Sequence, residues 1–436
     1  MDASVSYKSL EGKPIKNSIV AGIDVSKNFS DMCILGETND ILKELHFNHD
    51  EPGLFQAYEI LREIETNCNC KPVIMMESTG HYHRLPYYFF RNHGYECIVV
   101  NPLQTNAIKN ISIRKIKSDR VDAYRIAFLY RLQDFETTNM PVDTLFDMRN
   151  LTRQYCDLVK TRTMYTNQLV SVLDQAFPSF KKVFKDLTAI TALTLLEQYQ
   201  SPQCLLSAER SVVYHLILKR SRSGSLYARK KTDELYELAS HDCVFNIESQ
   251  SNAVLIQSMV SVLKVLIQNT SLLLKEIQAL IASDPSVAHN IELISSIPGI
   301  GSFGAAVLLC EIGDFSKFKK PAQLVAYCGI DPSQRQSGMY KGTKNKISKR
   351  GCRYIRRQLN MSAIAASHKN GHGIYNNPVL ADFYQKKCIS KPKKVALCAV
   401  MNKLIHLVYA VLRDQKHFEL RSPQVHAELL HLKNTA

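Results

Sequence analysis

The first third of the chain alternates short apolar segments with polar turns, which predicts a fold of strands and helices. Segments 18–27, 31–35 and 41–47 each predict a strand, and the second and third flank a turn-forming stretch at 36–40. Three such strands in succession predict an antiparallel meander. Apolar side chains then recur at helical spacing over 53–65, which predicts a helix.

Two further strands follow, with a helix between them. Residues 71–77 predict a buried strand, residues 95–100 predict a fifth strand, and the intervening helix runs through Phe90. Another helix is expected to begin at Asp119. A three-stranded meander followed by alternating helices and strands is the ribonuclease-H-like pattern, so we expect an α/β domain of that class.

The middle of the chain carries helical periodicity. Two apolar seams step alternately by three and four residues and predict two long helices over 151–176 and 256–280. An antiparallel pair, an intermolecular coiled coil and two helices buried within one domain all satisfy this spacing. Between them a helical insertion is expected near 185–250, with a basic loop at 219–224.

Two apolar segments then flank the sequence Pro298-Gly299-Ile300-Gly301. This arrangement predicts a helix-hairpin-helix, in which glycines let backbone amides approach a phosphate and the next helix adds its dipole. A tight turn in a helical bundle is the alternative. The pattern as a whole predicts an α/β plus α protein with a disordered N-terminus at 1–17, a ribonuclease-H-like domain at 18–140, coiled-coil helices at 141–284, a mainly helical C-terminal domain at 285–415 and a tail at 416–436.

Four carboxylates occupy distinctive positions in the predicted N-terminal domain. Asp24 ends the first strand and Glu77 ends the fourth, while Asp119 and Asp122 project from one face of a helix. The ordinary explanation of the last pair is an N-capping Asp119 with a first-turn Asp122 favoured by the helix dipole. Four carboxylates in this topological order predict a divalent-metal site, because close anions repel one another unless a cation lies between them.

Charge is the compositional feature that adds a prediction about the binding partner. The net charge is +15, and the region from Phe315 to Asn360 carries 12 Lys or Arg residues and a single acid, Asp331. Such an excess predicts a phosphate-binding surface. The 12 cysteines form no CxxC pair, and we see neither an apolar run of 18 residues nor a secretory signal. We therefore expect a cytoplasmic, nucleoid-associated protein with reduced thiols and no zinc.

Ser337 precedes a glycine within this basic region. A lone Ser-Gly is ordinarily a solvated loop serine, although the neighbouring cations would suit attack of a hydroxyl on a phosphate. The residues predicted to contact nucleic acid are Pro298, Gly299, Gly301, Arg335, Lys341, Lys344, Lys346, Lys349, Arg350, Arg353, Arg356 and Arg357.

Five motifs together resemble one family. Gly22–Lys27, Met76–Gly80 and Lys117–Ala123 resemble the RuvC-like DEDD domain of the insertion-sequence family one-ten (IS110) transposases. Ile297–Gly301 and Ala326–Ile330, with Ser337-Gly338, resemble that family's C-terminal transposase domain. The two sets occur in the family's order, and the resemblance covers nearly the whole chain except its first 17 residues and the insertion.

The resemblance implies a DNA transposase or recombinase that cuts and exchanges strands at the ends of a mobile element. It implies that Asp24, Glu77, Asp119 and Asp122 bind Mg²⁺ or Mn²⁺, and that Ser337 becomes covalently linked to DNA. It also implies a tetramer that binds DNA and a structured bridge RNA. Two other functions stay open: nucleic-acid binding without catalysis, and a metal-dependent nuclease that resolves junctions.

Overall fold

The computed structural model describes residues 19–78, 81–100, 119–132, 143–245, 250–333, 336–337, 340–341 and 346–435. The chain divides into two compact units, residues 1–140 and 141–436. The predicted disordered N-terminus lies outside the described residues. The predicted boundaries at 284/285 and 415/416 fall inside the second unit and stay predictions.

The first unit is built on a five-stranded sheet. Its elements are β1 (Val20–Val25), β2 (Phe29–Leu35), β3 (Ile41–Asn48), α1 (Glu51–Cys68), β4 (Val73–Glu77), α2 (Arg84–Asn92), β5 (Cys97–Val100) and α3 (Asp119–Leu132). The strand order is β3-β2-β1-β4-β5. β1, β2 and β3 pair antiparallel, whereas β4 is parallel to both β1 and β5. The predicted meander and the two strands after it are therefore confirmed.

The sheet buries both of its faces. Because successive side chains of a strand point to opposite sides, Ile23 and Ile74 lie on the face that α1 and α2 cover. Val20 and Met75 lie on the other face, which α3 covers. This division decides which side chains of β1 and β4 can meet α3.

Helix α3 approaches β1 unusually closely at Gly22. A Cβ atom on Gly22 would lie 2.3 Å from the carbonyl oxygen of Ala123 and 2.4 Å from the backbone nitrogen of Ala127. Near the other end of the helix, Arg131 Nη2 donates a 2.7 Å hydrogen bond to the carbonyl oxygen of Gly36. The absent side chain of Gly22 thus fixes where the start of α3 meets the sheet.

The second unit is mainly helical. Its helices and strands are α4 (Asp143–Ala176), α5 (Phe180–Val183), α6 (Ile190–Gln198), α7 (Pro202–Leu206), α8 (Arg210–Ser221), α9 (Ser225–Asp242), α10 (Gln250–Ser283), α11 (Pro285–Ser295), α12 (Ser302–Ile312), α13 (Pro321–Cys328), β6 (Gln336–Ser337), β7 (Tyr340–Lys341), α14 (Arg353–Ser367), α15 (Pro378–Ser390), α16 (Lys393–Asp414) and α17 (Pro423–Thr435).

The two predicted long helices are α4 and α10, and they pack against each other within the chain. The end of α4 at Leu169 shares a buried cluster with Ile256 near the start of α10. The beginning of α4 at Leu145 belongs to the other large cluster, against which Leu280 near the end of α10 packs. The two helices therefore run antiparallel, with a separate core at each end of the pair.

The segment between these helices folds as α5 to α9, so it is helical as expected, and its being an insertion stays a prediction. The predicted basic loop at 219–224 is only half right. Lys219 and Arg220 occupy the last turn of α8, where cations interact favourably with the helix dipole. The chain leaves the helix at Arg222 and Gly224, which have φ values of 55° and 85°.

Helices α10 and α16 are long and apolar enough to cross a membrane by length and composition. Each packs against other helices of its own unit, α10 on α4 and α16 on α14. The expectation that the chain has no membrane-spanning helix stays a prediction.

We expect Gly22→Ala to destabilise the first unit by about 1–3 kcal/mol, because the added methyl group must displace α3 from β1. Thermal unfolding would measure the change. Gly371→Ala is the matched control, since a Cβ atom at Gly371 meets no atom within 4 Å. An unchanged melting temperature in Gly22→Ala would contradict the close approach of α3.

Candidate catalytic site and nucleic-acid surface

Two predicted site residues lie next to each other at the end of the sheet. The parallel register pairs Ile23 with Met76, so Asp24 and Glu77 follow one residue further along β1 and β4. Both are half-buried. They lie on the α3 face, because each is two or four residues from a side chain of that face.

Helix α3 brings a third carboxylate to this face. Asp122 is 5% exposed and immediately precedes Ala123, which packs over Gly22. Its Oδ1 atom accepts a 3.0 Å hydrogen bond from Arg125 Nη1, one turn along the helix. Asp119 is the first residue of α3, and its side chain lies outside the described part of the structure. Asp24 and Glu77 thus end neighbouring strands on the face that α3 covers, and Asp122 lies buried on α3 itself.

Sequence reasoning missed a further carboxylate at the same edge. Asp31 on β2 lies directly opposite Asp24 in the antiparallel register, so both project from the α3 face. Asp31 is 7% exposed, and its Oδ1 atom lies 3.1 Å from Nδ1 of His46 on β3. Only the pairing register could have revealed it. A row of polar side chains therefore crosses the sheet from His46 to Glu77.

The donor types at this edge suit a hard divalent cation, because carboxylate oxygens are the ligands that Mg²⁺ and Mn²⁺ prefer. Directly opposed Asp24 and Asp31 repel each other, and a cation would relieve that repulsion. Among the described residues, no three His, Cys, Asp or Glu side chains come close enough together to hold a metal ion. The donor chemistry of the acids suits a divalent cation, while the fourth predicted ligand, Asp119, lies outside the described side chains.

The segment that carries Ser337 is a hairpin, which we call the serine hairpin (residues 329–349). Its base is a short antiparallel ladder. The backbone nitrogen of Ser333 donates to the Lys346 carbonyl oxygen at 2.7 Å, that of Ser348 to Asp331 at 2.8 Å, and that of Lys349 to Gly329 at 3.0 Å. The ladder joins the end of α13 to the start of α14.

Ser337 itself lies on β6, opposite Tyr340 of β7. Its side chain lies outside the described part of the structure, as do those of Lys341, Arg335 and Lys344. Lys346, Lys349 and Arg350 at the base are exposed.

Three predicted nucleic-acid contacts on α14 have partners within the protein. Arg353 Nη2 lies 3.3 Å from Asp157 Oδ2, and Arg357 Nη1 donates a 3.0 Å hydrogen bond to the Cys156 carbonyl oxygen. Arg356 donates to the Gly351 carbonyl oxygen. These contacts tie α14 to α4 and to the hairpin base, so this part of the basic region is not simply a row of unpaired cations. Contact of these arginines with nucleic acid stays a prediction.

A buried ion pair joins α4 to α12. Glu311 is 2% exposed and accepts hydrogen bonds of 2.6 and 2.7 Å from Nε and Nη2 of Arg153. Hydrogen bonding to Glu311 raises the pKa of Arg153. Arg149 adds a 2.8 Å hydrogen bond to the carbonyl oxygen of Cys310. These contacts therefore fix α12 to the long helix pair.

The turn between α11 and α12 uses its two glycines differently. Gly299 has φ 107°, and a Cβ atom there would lie 2.6 Å from the Cβ atom of Ala366 on α14. Gly301 is the N-terminal cap of α12, and a Cβ atom there would meet nothing within 4 Å. Gly299 is therefore needed for packing, whereas Gly301 leaves the start of α12 open.

Comparisons with known proteins find transposase matches in both the N-terminal and the C-terminal part of the chain. Residues 21–178 match the family model of DEDD transposases of the IS110 type, and residues 291–385 match the model described as the transposase IS116/IS110/IS902 family. The 43.6 kDa protein of insertion element IS110 from Streptomyces coelicolor is 26% identical over 78% of this chain and 81% of its own length. The pilin gene-inverting protein of Moraxella bovis is 24% identical over 92% of this chain and 97% of its own.

We expect Gly299→Ala and Gly301→Glu to fail in different ways. Gly299→Ala should lower stability by about 1–3 kcal/mol, because it forces α14 away. Gly301→Glu should fold normally but weaken duplex DNA binding several-fold at low salt, because it adds a negative charge at the start of α12. Thermal unfolding and fluorescence anisotropy would separate the two effects. Gly371→Glu, in an open loop position, is the control, and equal DNA affinities for it and Gly301→Glu would exclude the turn as a contact.

Proposed function

The chain belongs to the IS110 family of DNA transposases, and on that premise we propose that it cuts and rejoins DNA strands with a four-carboxylate metal site and a serine nucleophile. The observation that carries the proposal is that Asp24 and Glu77 end neighbouring strands on the sheet face that α3 covers, while Asp122 is buried on α3. Asp119, in the first turn of the same helix as Asp122, completes the set. Mg²⁺ or Mn²⁺ is the cation that such oxygen donors select.

The finer structural assignments belong to the same proposal. The strand order β3-β2-β1-β4-β5, with an antiparallel meander and two parallel strands, supports a ribonuclease-H-like first unit. The antiparallel packing of α4 on α10 supports a coiled coil, and the turn between α11 and α12 supports a helix-hairpin-helix. The topology and the family together support each assignment.

Ser337 is proposed to supply the attacking oxygen. Its hydroxyl oxygen forms a bond to a DNA phosphorus, the bond from that phosphorus to the leaving sugar oxygen breaks, and the serine proton passes to a base. The product is a phosphoserine diester that retains the energy needed for rejoining. A serine hydroxyl needs activation at neutral pH. When bound, a divalent cation polarises the phosphate and stabilises the developing negative charge.

In this proposal, exposed cations of the serine hairpin and the start of α12 bind the nucleic acid. Lys346, Lys349 and Arg350 are exposed beside the hairpin base, where they would meet phosphate oxygens.

A structured guide RNA is proposed as the second nucleic-acid partner, on the strength of the family and of the net charge of +15. A discrete RNA that co-purifies with the protein would support this partner, and purification free of RNA with full activity would refute it.

Two other functions are separated from this one by a single experiment. A binding protein without catalysis leaves DNA intact, and a metal-dependent nuclease leaves free ends without a covalent adduct. A recombinase that uses Ser337 leaves protein attached to DNA after denaturation. Denaturing electrophoresis of labelled DNA distinguishes all three.

We expect Asp24→Asn and Asp122→Asn each to reduce recombination by at least about two orders of magnitude with little change in folding. Each substitution removes a charge and a ligand oxygen while keeping the shape of the side chain. Strand cleavage and Mn²⁺ binding would be measured together. Glu59→Gln on the exposed side of α1 is the control, and near-normal activity in either aspartate variant would remove the metal site from the proposal.

Ser337→Ala should abolish both the covalent adduct and recombination while DNA binding persists, because the nucleophile is lost and the charges remain. Ser333→Ala is the nearby control. It should retain activity and lose about 1 kcal/mol of stability, since its hydroxyl donates a 2.8 Å hydrogen bond to the Lys346 carbonyl oxygen. Peptide mass mapping of trapped adduct to Ser333, or adduct in Ser337→Ala, would show that the nucleophile is another residue.

We also propose that the protein forms a homo-oligomer, a tetramer as the family implies, through the outer face of α10. Val254, Val265 and Leu272 are each more than half exposed, and their spacing puts them on one stripe of the helix. Leu169, on the predicted seam, is fully buried within the chain, so a charge there would test folding and not assembly.

Val265→Glu combined with Leu272→Glu should therefore shift the protein to smaller species in light scattering, because two buried charges oppose association. Leu226→Glu is the control, since Leu226 is an 83% exposed apolar residue on α9. A wild-type protein that is monomeric at micromolar concentration, with and without nucleic acid, would contradict the assembly.

A further inference from the structure

The end of the second unit contains a cavity that the proposed chemistry does not use. It has a volume of about 930 Å³ and lies between α15, α16 and the segment 415–427. We call it the C-terminal cavity. Its size falls within the range of pockets that hold a small organic group.

The bed of the cavity is apolar and includes aromatic rings. Phe383, Leu407 and Phe418 line it and are partly buried against the core of the unit, and Val411 is fully part of that core. A flat aromatic group of a ligand would replace water on this bed and remove apolar surface from solvent.

The rim of the cavity is basic, and its cations differ in their partners. Lys386 Nζ lies 2.7 Å from Asp382 Oδ2, and Arg413 pairs with Asp414 at 2.7 Å. Lys403, in contrast, forms no ion pair with any acid in the described part of the chain. Its Nζ atom lies 5.7 Å from the centre of the Phe383 ring. The three acids that line the cavity, Asp382, Asp414 and Glu419, pair with Lys386, Arg413 and Arg421, so Lys403 presents its ammonium group beside an aromatic ring.

Three histidines line the cavity, and one of them, His406, lies on the same helix as that ammonium group. His406 lies one helical turn from Lys403, and burial together with Lys403 lowers the pKa of His406 below its usual value. A neutral imidazole offers one donor and one acceptor nitrogen. Such a pair of groups can hydrogen-bond the edge of a nucleobase.

We propose that the C-terminal cavity binds one unpaired nucleotide of a single-stranded nucleic acid, with its base on the apolar bed beside Phe383 and its phosphate at Lys403. The nucleic-acid partner rests on the proposed function, but the cavity does not share residues with the carboxylates or the serine hairpin. Stacking on an aromatic side chain together with a nearby cation is how proteins hold single strands without reading sequence. A purely apolar occupant would leave Lys403 without a partner inside the contact.

The test uses the full-length protein and short single strands of DNA or RNA that carry one photoreactive uracil. Crosslinks should map by mass spectrometry to peptides within 378–427. Phe383→Leu keeps the apolar volume and removes the ring, and it should weaken single-strand binding about fivefold or more. Lys403→Gln should weaken it similarly and reduce the salt slope by about 0.7, the value for one lost phosphate contact on a single strand. Fluorescence anisotropy measures both.

Lys386→Gln is the matched control, because Lys386 lines the same cavity but is paired with Asp382. It should change single-strand affinity less than about twofold. Comparison of the DNA and RNA strands shows which nucleic acid supplies the nucleotide. Crosslinks that map only outside 378–427, or equal affinity of Lys403→Gln and Lys386→Gln, would overturn the inference. Phe383→Leu and Lys403→Gln should still form the Ser337 adduct on duplex DNA. If Ser337→Ala loses the adduct while Lys403→Gln leaves single-strand binding unchanged, the cavity is rejected and the proposed function stands.

Discussion

The candidate metal site depends on a backbone contact that contains no charged group. Gly22 lets α3 approach β1 so closely that even a methyl group has no room beside Ala123. Asp122 immediately precedes that contact and is buried on α3, while Asp24 and Glu77 end neighbouring strands on the face that α3 covers. Packing of the helix on the sheet therefore fixes Asp122 on the same side of the sheet as Asp24 and Glu77, and the positive end of the helix dipole favours an acid in the first turn of α3.

In the second unit, an ion pair stabilises a buried carboxylate. Glu311 is almost fully buried and would be strongly destabilising without a partner, so the two hydrogen bonds from Arg153 offset its desolvation. The pair joins α12 to α4, while Arg353 and Arg357 join α14 to neighbouring positions on α4. The serine hairpin is attached between α13 and α14, so its base is fixed to the same long helix that packs on α10.

Structural features that depend on the local order of residues could be predicted from the sequence. Features that depend on tertiary pairing could not. The strand-end positions of Asp24 and Glu77 could be predicted because strand ends are visible in an apolar pattern. The position of Asp31 could not, because its place opposite Asp24 follows from strand register. The acidic partner of Arg353, Asp157, lies 196 residues earlier in the chain, beyond any local pattern. Likewise, a glycine motif does not reveal that Gly299 makes room for Ala366.

These pairings narrow the surface available to nucleic acid. A count of charges over the basic region treats every Lys and Arg alike, yet Arg353, Arg356 and Arg357 are engaged with α4 and the hairpin base. A cation that already has an acceptor gains less from a phosphate than one facing solvent, since the first contact must be given up. Lys349 and Arg350 are exposed at the base of the serine hairpin. These exposed cations therefore favour phosphate binding more than the arginines of α14 do.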